Sequence, residues 1–227
     1  MRENVQKIRD QILEHALLRV PFEGWHWQGI CQAAEDCGYD RNMAHSVFPQ
    51  GLEDVLDHLA DLADREMMDQ LSLLTPEEMR VRDRIKHGVL HRLQALNAYR
   101  EAEKYAISYW AVPGRQGRAA RILWRTSDRI WTWAGDTSTD YNYYTKRGLL
   151  SSVLASTTLA WLKDTDFDIA QPGKTHAFLD RRIDNVLSFG KTFGPVFESV
   201  FNKGFTRCFS GISGKMHNAV QERPSGR

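Results

Sequence analysis

Cysteine is scarce in this chain, three residues in 227, and the three do not pair: Cys31, Cys37 and Cys208 make no CxxC unit and no zinc-ligand spacing. The odd count argues against a disulfide framework, and a reducing compartment is the simpler reading. An excess of charge of one sign is also missing. The formal net charge is +1, so no global field draws the chain to nucleic acid. Long hydrophobic runs are lacking too. The longest charge-free stretch, Gly148–Leu162, is too short to span a bilayer and is broken by Ser and Thr. No alternating strand pattern, internal repeat, Gly-rich phosphate loop, nucleophile elbow or dinucleotide fingerprint can be read. Met1 leads directly into a polar, helix-like segment without a signal-peptide or Arg/Ser-rich transit pattern. The expected location is a bacterial cytoplasm with attachment to the inner membrane, although a processed mitochondrial chain would look similar.

What is present is helical periodicity. Val5, Ile8, Ile12, Ala16 and Val20 mark a first helix that Pro21 and Gly24 are expected to end. Two short helices follow around Gly38-Tyr39-Asp40, where Asp40 can cap the second, at about Arg41 to Val47. A fourth runs from Leu52 to about Leu73. Thr75-Pro76-Glu77-Glu78 reads as the start of a fifth, with Thr75 as cap and Glu78 closing a capping box. A sixth covers about Arg100 to Ala111 and a seventh about Gly117 to Ala134, stopped by Gly135. An eighth reaches Trp161-Leu162, and a ninth holds Phe178, Leu179, Ile183, Val186 and Leu187. The fold class is all-α, about nine helices with a C-terminal amphipathic helix. Its divisions are residues 1–72, a helix-turn-helix-like module; 75–190, a lipid-binding and dimerisation region; and 191–227, a membrane-associating tail.

The arrangement between Trp27 and Phe48, followed by Pro49 and a long helix, resembles the N-terminal module of tetracycline-repressor-type regulators. Such a module reads DNA only if its second short helix meets phosphates and base edges. Arg41 is the sole Lys or Arg between Gln28 and Gln50, among Glu35, Asp36 and Asp40. Phosphate contacts supply most non-specific affinity, so an inherited scaffold is favoured over a DNA reader.

Gly135–Arg147 (GDTSTDYNYYTKR), Trp124–Trp131 (WRTSDRIW) and Phe178–Val186 (FLDRRIDNV) are together similar to the ubiquinone-biosynthesis accessory proteins that partner the di-iron demethoxyubiquinone hydroxylase. Pro21–Trp25 (PFEGW), the Gly38–Asp40 turn and Val47–Gly51 (VFPQG) match the same family, so the resemblance spans about Leu17 to Gly190. It implies a repressor-like dimer with an apolar lipid pocket, no catalysis of its own and a docking patch for the hydroxylase. The residues assigned to that patch are Asp140, Tyr143, Tyr144 and Arg147; the family carries Trp at the docking position where this chain has Tyr143. Tyr143 and Tyr144 point about 100° apart on a helix, so at least one is expected to be partly exposed. A packing cluster at the helix start is the alternative reading of the same residues.

The Gly148–Leu162 helix mixes Leu and Val with small residues, which is expected to place it at the middle of the structure, beside a pocket, at a dimer interface or in plain core packing. Candidate lipid-pocket walls are Tyr105, Tyr109, Trp110, Leu123, Trp131, Leu150 and Leu154, with Trp133 beside them. In the tail, Phe193, Phe197, Phe201, Phe205 and Phe209 recur at helical spacing with Lys191, Lys203, Arg207 and Lys215. From Gln171 onward there are 9 Lys/Arg against 4 Asp/Glu, which suits a helix lying on anionic lipid. Docking of this helix on its own domain or on a second subunit is the rival. His87 and His91, or Asp54 and His58, could each offer two metal ligands, but no Glu-x-x-His set accompanies them, so neither metal nor cofactor is expected.

The function the resemblance implies, with which these features agree, is a non-enzymatic protein that binds isoprenoid quinone precursors at the membrane and presents them to the hydroxylase. Its partners would be that lipid, the hydroxylase, the membrane surface and a second copy of the chain, with no specific nucleic acid. The alternatives are a ligand-responsive tetracycline-repressor-type regulator, which the lone Arg41 argues against, and an enzyme, for which no catalytic set can be read.

Overall fold

Residues three or four apart share one face of a helix, and the faces marked by that spacing are largely the ones buried here. The computed structural model describes residues 2–139 and 141–186. Along them run α1 (Arg2–Glu23), α2 (Trp27–Asp36), α3 (Arg41–Val47), α4 (Leu52–Leu71), α5 (Val81–Ala95), α6 (Arg100–Trp110), α7 (Gln116–Trp133), α8 (Tyr141–Trp161) and α9 (174–186). No strand occurs among the described residues, and the all-helical expectation holds. Asp140 and the Phe-rich tail, Phe193 to Phe209 included, lie outside the described residues.

Local chemistry sets most boundaries. The Asp40 carboxylate accepts from Asn42 N–H at 3.0 Å and starts α3, while the His26 ring does the same for α2 by accepting from Gly29 N–H at 3.0 Å. At the end of α7, Gly135 takes φ +83°, and the amides of Asp136 and Gly135 donate to the carbonyls of Trp131 and Thr132. This is a Schellman stop, which the glycine permits because it carries no Cβ.

Two boundary readings and one burial reading need correction. Pro21 does not end α1; it sits inside the last turn, and the helix stops at Gly24, whose amide still reaches Val20 O at 2.8 Å. A helical φ suits proline, so a single residue near a helix end costs little more than one missing N–H. Val5, expected on the buried face, is exposed, because the α1 stripe begins before the core does. Pro76–Glu78 forms only a 3-10 turn without a side-chain cap, and α5 begins afresh at Val81 after an extended Arg80. Arg84 Nε donates to Met79 O at 3.0 Å and fixes that second start.

The helices pack in order. The α1–α3 unit sits against α4, α4 packs on α5 and α7, α7 on α8, and α1 reaches across to α6. One apolar cluster runs from Ile12 of α1 through Phe48, Met67, Leu93 and Ile130 to Leu179 and Ile183 of α9. At Gly88 the α5–α7 crossing is so close that a Cβ would lie 2.6 Å from the Ile130 side chain. The α4–α7 seam is ionic. Asp54, Asp57, Asp61 and Asp64 line one face of α4, and Arg118, Arg125 and Arg129 line one face of α7. The pairs Asp54–Arg118, Asp57–Arg125 and Asp61–Arg129 close at 2.5, 2.6 and 2.8 Å. Because both partners advance in the same chain direction, the two helices lie parallel in this seam.

Helix α8 is one-sided instead of central throughout. It buries Leu150, Val153, Leu154, Thr157, Thr158 and Trp161, while Ser152 and Leu159 face outward.

Candidate functional site

An apolar cavity of about 190 Å³ opens between α4, α6, α7 and α8. Its floor is built from buried residues, Leu56 and Ala60 of α4, Ala106 of α6, Ile122 of α7 and Leu154 of α8. Ile107, Trp110, Ala119, Leu123, Ala155 and Leu159, partly or fully exposed, form its rim. Small side chains at positions 60, 106, 119 and 155 leave the space, because each lies where two helix faces would otherwise interdigitate.

Of the walls expected from the sequence, Trp110, Leu123 and Leu154 line this cavity, and Tyr105, Tyr109, Trp131 and Leu150 do not. The reason is helical phase. The cavity stripe of α6 is Glu103, Ala106, Ile107 and Trp110, and Tyr105 and Tyr109 stand about 150° and about 110° off its centre. Tyr105 is exposed, and Tyr109 stacks edge-on with Trp110 beneath the Arg115 guanidinium, 3.8 Å from its ring centre. Trp131 and Trp133 serve as braces: their indole N–H groups donate to Lys146 O at 3.0 Å and Leu71 O at 3.1 Å, tying α7 to α8 and α4. Leu150 is core one turn before Leu154.

The cavity has a polar end that the sequence did not suggest. Arg92 of α5 and Glu103 of α6 both line it. Arg92 Nε donates to Asp64 Oδ1 at 2.9 Å and to Thr126 Oγ1 at 3.3 Å, and Thr126 Oγ1 in turn donates to Asp64 at 2.8 Å. Asp64 is fully buried and also meets Arg125 and Arg129 at 3.4 and 3.2 Å, so its charge is well compensated. Burial pushes the Glu103 carboxyl above the usual carboxylate range. The charge of Arg92 acts in the opposite direction, and that of Asp64 adds to the rise.

A second constellation sits where α7 meets the start of α8. Tyr143 O–H donates to Asp128 at 3.1 Å, and the Arg147 guanidinium lies 3.4 Å from the Tyr143 ring centre. Tyr144 packs edge-on against Tyr143 at 5.2 Å and is 61% exposed. Trp124 joins them, 6.3 and 6.1 Å from the two rings. Beneath is Asp136, which accepts from Lys146 Nζ at 2.6 Å, Arg147 Nη1 at 2.9 Å and Ser138 Oγ at 2.8 Å. Burial pushes the Asp136 carboxyl up, but these three donors outweigh it and hold it at about 2. Arg147, expected beside the tyrosines as a surface cation, is instead 2% exposed. Its Nε also donates to Asp128 at 2.5 Å, so its role here is to hold the Tyr143 ring from within. The aromatic face thus combines both sequence readings, a packed base under Tyr143 and an exposed tip at Tyr144.

In the helix-turn-helix-like module, Arg41 is paired with Glu35 at 3.2 Å. His45 accepts from the Trp27 indole N–H at 3.3 Å, with the rings 4.8 Å apart. Both candidate metal pairs are otherwise engaged or incomplete. His58 pairs with Asp10 at 2.8 Å and Asp54 with Arg118, while His87 and His91 stack at 5.9 Å. Among the described residues no group of three or more His, Cys, Asp or Glu is placed to hold a metal ion.

Residues 117–190, which include the aromatic constellation, match the family model described as COQ9. The chain is 30% identical over 196 residues to the mitochondrial ubiquinone biosynthesis protein COQ9 of Rattus norvegicus, covering 84% of this chain and 62% of that protein. The Homo sapiens protein of the same name is 29% identical, with 84% and 61% covered. For that of Drosophila melanogaster the identity is 29% over 211 residues, with 88% and 64% covered. The chain therefore spans somewhat over three-fifths of the length of these relatives. Among solved structures, a TetR transcriptional regulator from Nitrosomonas europaea superposes with a TM-score of 0.63 at 18% identity, covering 80% of this chain and 98% of that one. The chain is thus similar to COQ9 proteins over most of its own length and is built on the helical fold of the TetR regulator.

Proposed function

We propose that this protein is a non-enzymatic accessory factor of ubiquinone biosynthesis that binds an isoprenoid quinone precursor and presents it to the demethoxyubiquinone hydroxylase. The observation that carries the reading is the cavity between α4, α6, α7 and α8, apolar along its floor and open at its rim. Extracting a prenylated ring from a bilayer exposes many CH₂ groups, each costing about 0.8 kcal/mol in water, and such a cavity offsets part of that cost. The names of the relatives supply the pathway.

Delivery requires two further surfaces. Tyr144 is the exposed tip of an aromatic group held rigid from below by Arg147 and Asp136, the composition and rigidity that interface anchors share. It is the surface that would meet the hydroxylase, together with Asp140 beyond the described residues. Membrane contact falls to the tail from Phe193 to Phe209, with its lysines and arginines on anionic lipid. No helix among the described residues is long and apolar enough to cross a membrane. The protein acts as a homodimer, peripherally on the inner membrane or its mitochondrial equivalent. The regulator alternative is disfavoured because the one arginine of the α2–α3 unit is already paired.

Native mass spectrometry of protein purified without detergent tests this reading. A dimer carrying an isoprenoid lipid is expected, and the lipid should be lost from Ala155→Trp, which fills the rim without touching the buried floor. Absence of any lipid from the wild-type chain, or its undiminished retention by the variant, would overturn the cavity's role.

A further inference from the structure

Two histidines of the α1–α3 unit hold their contacts through ring nitrogens that must stay unprotonated. His26 is the N-cap of α2: its Nδ1 accepts from Gly29 N–H at 3.0 Å, and its Nε2 meets Glu23 Oε2 of α1 at 3.2 Å. A backbone N–H only donates, so Nδ1 keeps its lone pair and the one ring proton lies on Nε2, toward Glu23. His45 of α3 faces the same end of α2. Its Nε2 lies 3.3 Å from the Trp27 indole nitrogen, and an indole N–H is likewise a donor without acceptor capacity. Trp27 is the first residue of α2, and its ring lies 3.8 Å from where a Gly51 Cβ would stand, beside the start of α4.

We infer that this corner is an acid-sensitive joint, closed while His26 and His45 are neutral and loosened when either ring takes a proton. The usual N-cap residues, Ser, Thr, Asp and Asn, offer an oxygen that still accepts in mild acid. An imidazolium carries N–H on both nitrogens. At His26 a donor then confronts the Gly29 donor, and at His45 one confronts the Trp27 donor. Both side chains reach solvent, so the proton has access. Glu23 draws a charged His26 away from the helix end it caps, and the positive pole of α2 repels it in the same direction. His45 lies in the last turn of α3, whose carbonyl end favours a cation. Two ion pairs flank the corner, Arg41–Glu35 between α3 and α2 at 3.2 Å and Arg19–Asp36 between α1 and α2 at 2.6 Å. Asp40 caps α3, and Arg9 of α1 is committed to Val47 O at 2.7 Å. On the other side of His26, Trp25 donates to Ala102 O of α6 at 2.9 Å, a bond with no titratable member. Acid therefore frees the start of α2 and its contact with α3, while the α1–α2 loop stays anchored.

The test is an NMR titration of the full-length chain with isotope-labelled Gly and Trp, from about pH 7.5 to about pH 5, a window that brackets ordinary imidazole titration. The Gly29 amide and the Trp27 indole resonances should both shift. Protection of the Gly29 amide from solvent exchange should fall about fivefold, the size of a usual N-cap contribution. The Trp25 indole is the internal control and should not move. His26→Asn keeps an acceptor oxygen that does not titrate, so it should fix the Gly29 signal and leave Trp27 shifting. His45→Gln should do the reverse. His26→Ala should show at neutral pH the low protection that the wild type reaches only in acid. A wild-type Gly29 signal that ignores pH, or one that shifts equally in His26→Asn, overturns the role of His26. The same results for the Trp27 indole and His45→Gln overturn the role of His45, and both together remove the joint. Movement of the Trp25 indole in step with the others means general acid unfolding and overturns it as well.

Discussion

Replacing Asp136 by Asn probes the aromatic constellation at its base. The carboxylate is almost fully enclosed and receives Lys146, Arg147 and Ser138, which hold it at about 2 against an ordinary 3.8. Asn stands in for the protonated acid, so the difference between those two values sets the stabilisation at risk. At 1.36 kcal/mol per unit it amounts to about 2 kcal/mol at neutral pH. Arg147, itself almost fully buried, would keep Asp128 but lose its buried partner. For a chain of this size, about 2 kcal/mol corresponds to about 4–8 °C in Tm. The pH dependence gives the sharper test. A carboxylate depressed in the folded state contributes fully above its unfolded value of about 3.8. That contribution is lost as pH falls through its folded value of about 2. Melts followed by circular dichroism should therefore show the wild type ahead of Asp136→Asn at pH of about 7 and about 5. The gap should narrow at about pH 3, where the other acids titrate alike in both chains. A gap that is absent at neutral pH, or as wide at about pH 3 as at about 7, would refute the argument.

Three further outcomes follow from the geometry. Gly88→Ala should destabilise by about 1–2 kcal/mol, since its new methyl lies 2.6 Å from Ile130 and overpacking exceeds the gain in helix propensity; equal or higher Tm would mean α5 and α7 separate easily. Tyr144→Ala should change stability by no more than about 0.5 kcal/mol yet weaken hydroxylase binding by about 2 kcal/mol in a pull-down titration. Tyr143→Ala should cost stability as well, because it breaks the bond to Asp128 and exposes Arg147. Intact hydroxylase capture by Tyr144→Ala would remove the docking role. Duplex DNA should bind weakly and without sequence preference at physiological salt, and a footprint that survives competitor DNA would restore the regulator reading.

What the sequence reveals and what it hides divide along one physical line. Periodicity tells which residues share a helix face, so the nine helices among the described residues, the Asp40 cap and the Gly135 stop are legible, although α5 starts at Val81 and not at the Thr75 box. Periodicity does not tell what that face meets. Tyr105 and Tyr109 look like pocket walls because they are aromatic, yet the cavity stripe is one residue away and includes Glu103, whose charge reads as solvent-facing. The acids of α4 look equally wet. Asp54, Asp57, Asp61 and Asp64 advance by three, four and three, the spacing of a hydrated amphipathic face. Arg118, Arg125 and Arg129 advance by seven and four on α7. Rows of opposite charge that advance in the same direction let two helices close in parallel, and here they do, with Arg118 reaching both Asp54 and Asp57 across its longer step. The signal for the seam was therefore in the sequence, as a correspondence between distant segments and not as a motif in either. Its last rung explains the cavity's polar end. Asp64 is too deep for water, so arginines must come to it, and Arg92 arrives from α5 at the border of the cavity. The ionic seam and the cavity are thus one construction: the charge that welds α4 to α7 also holds the guanidinium that borders the cavity.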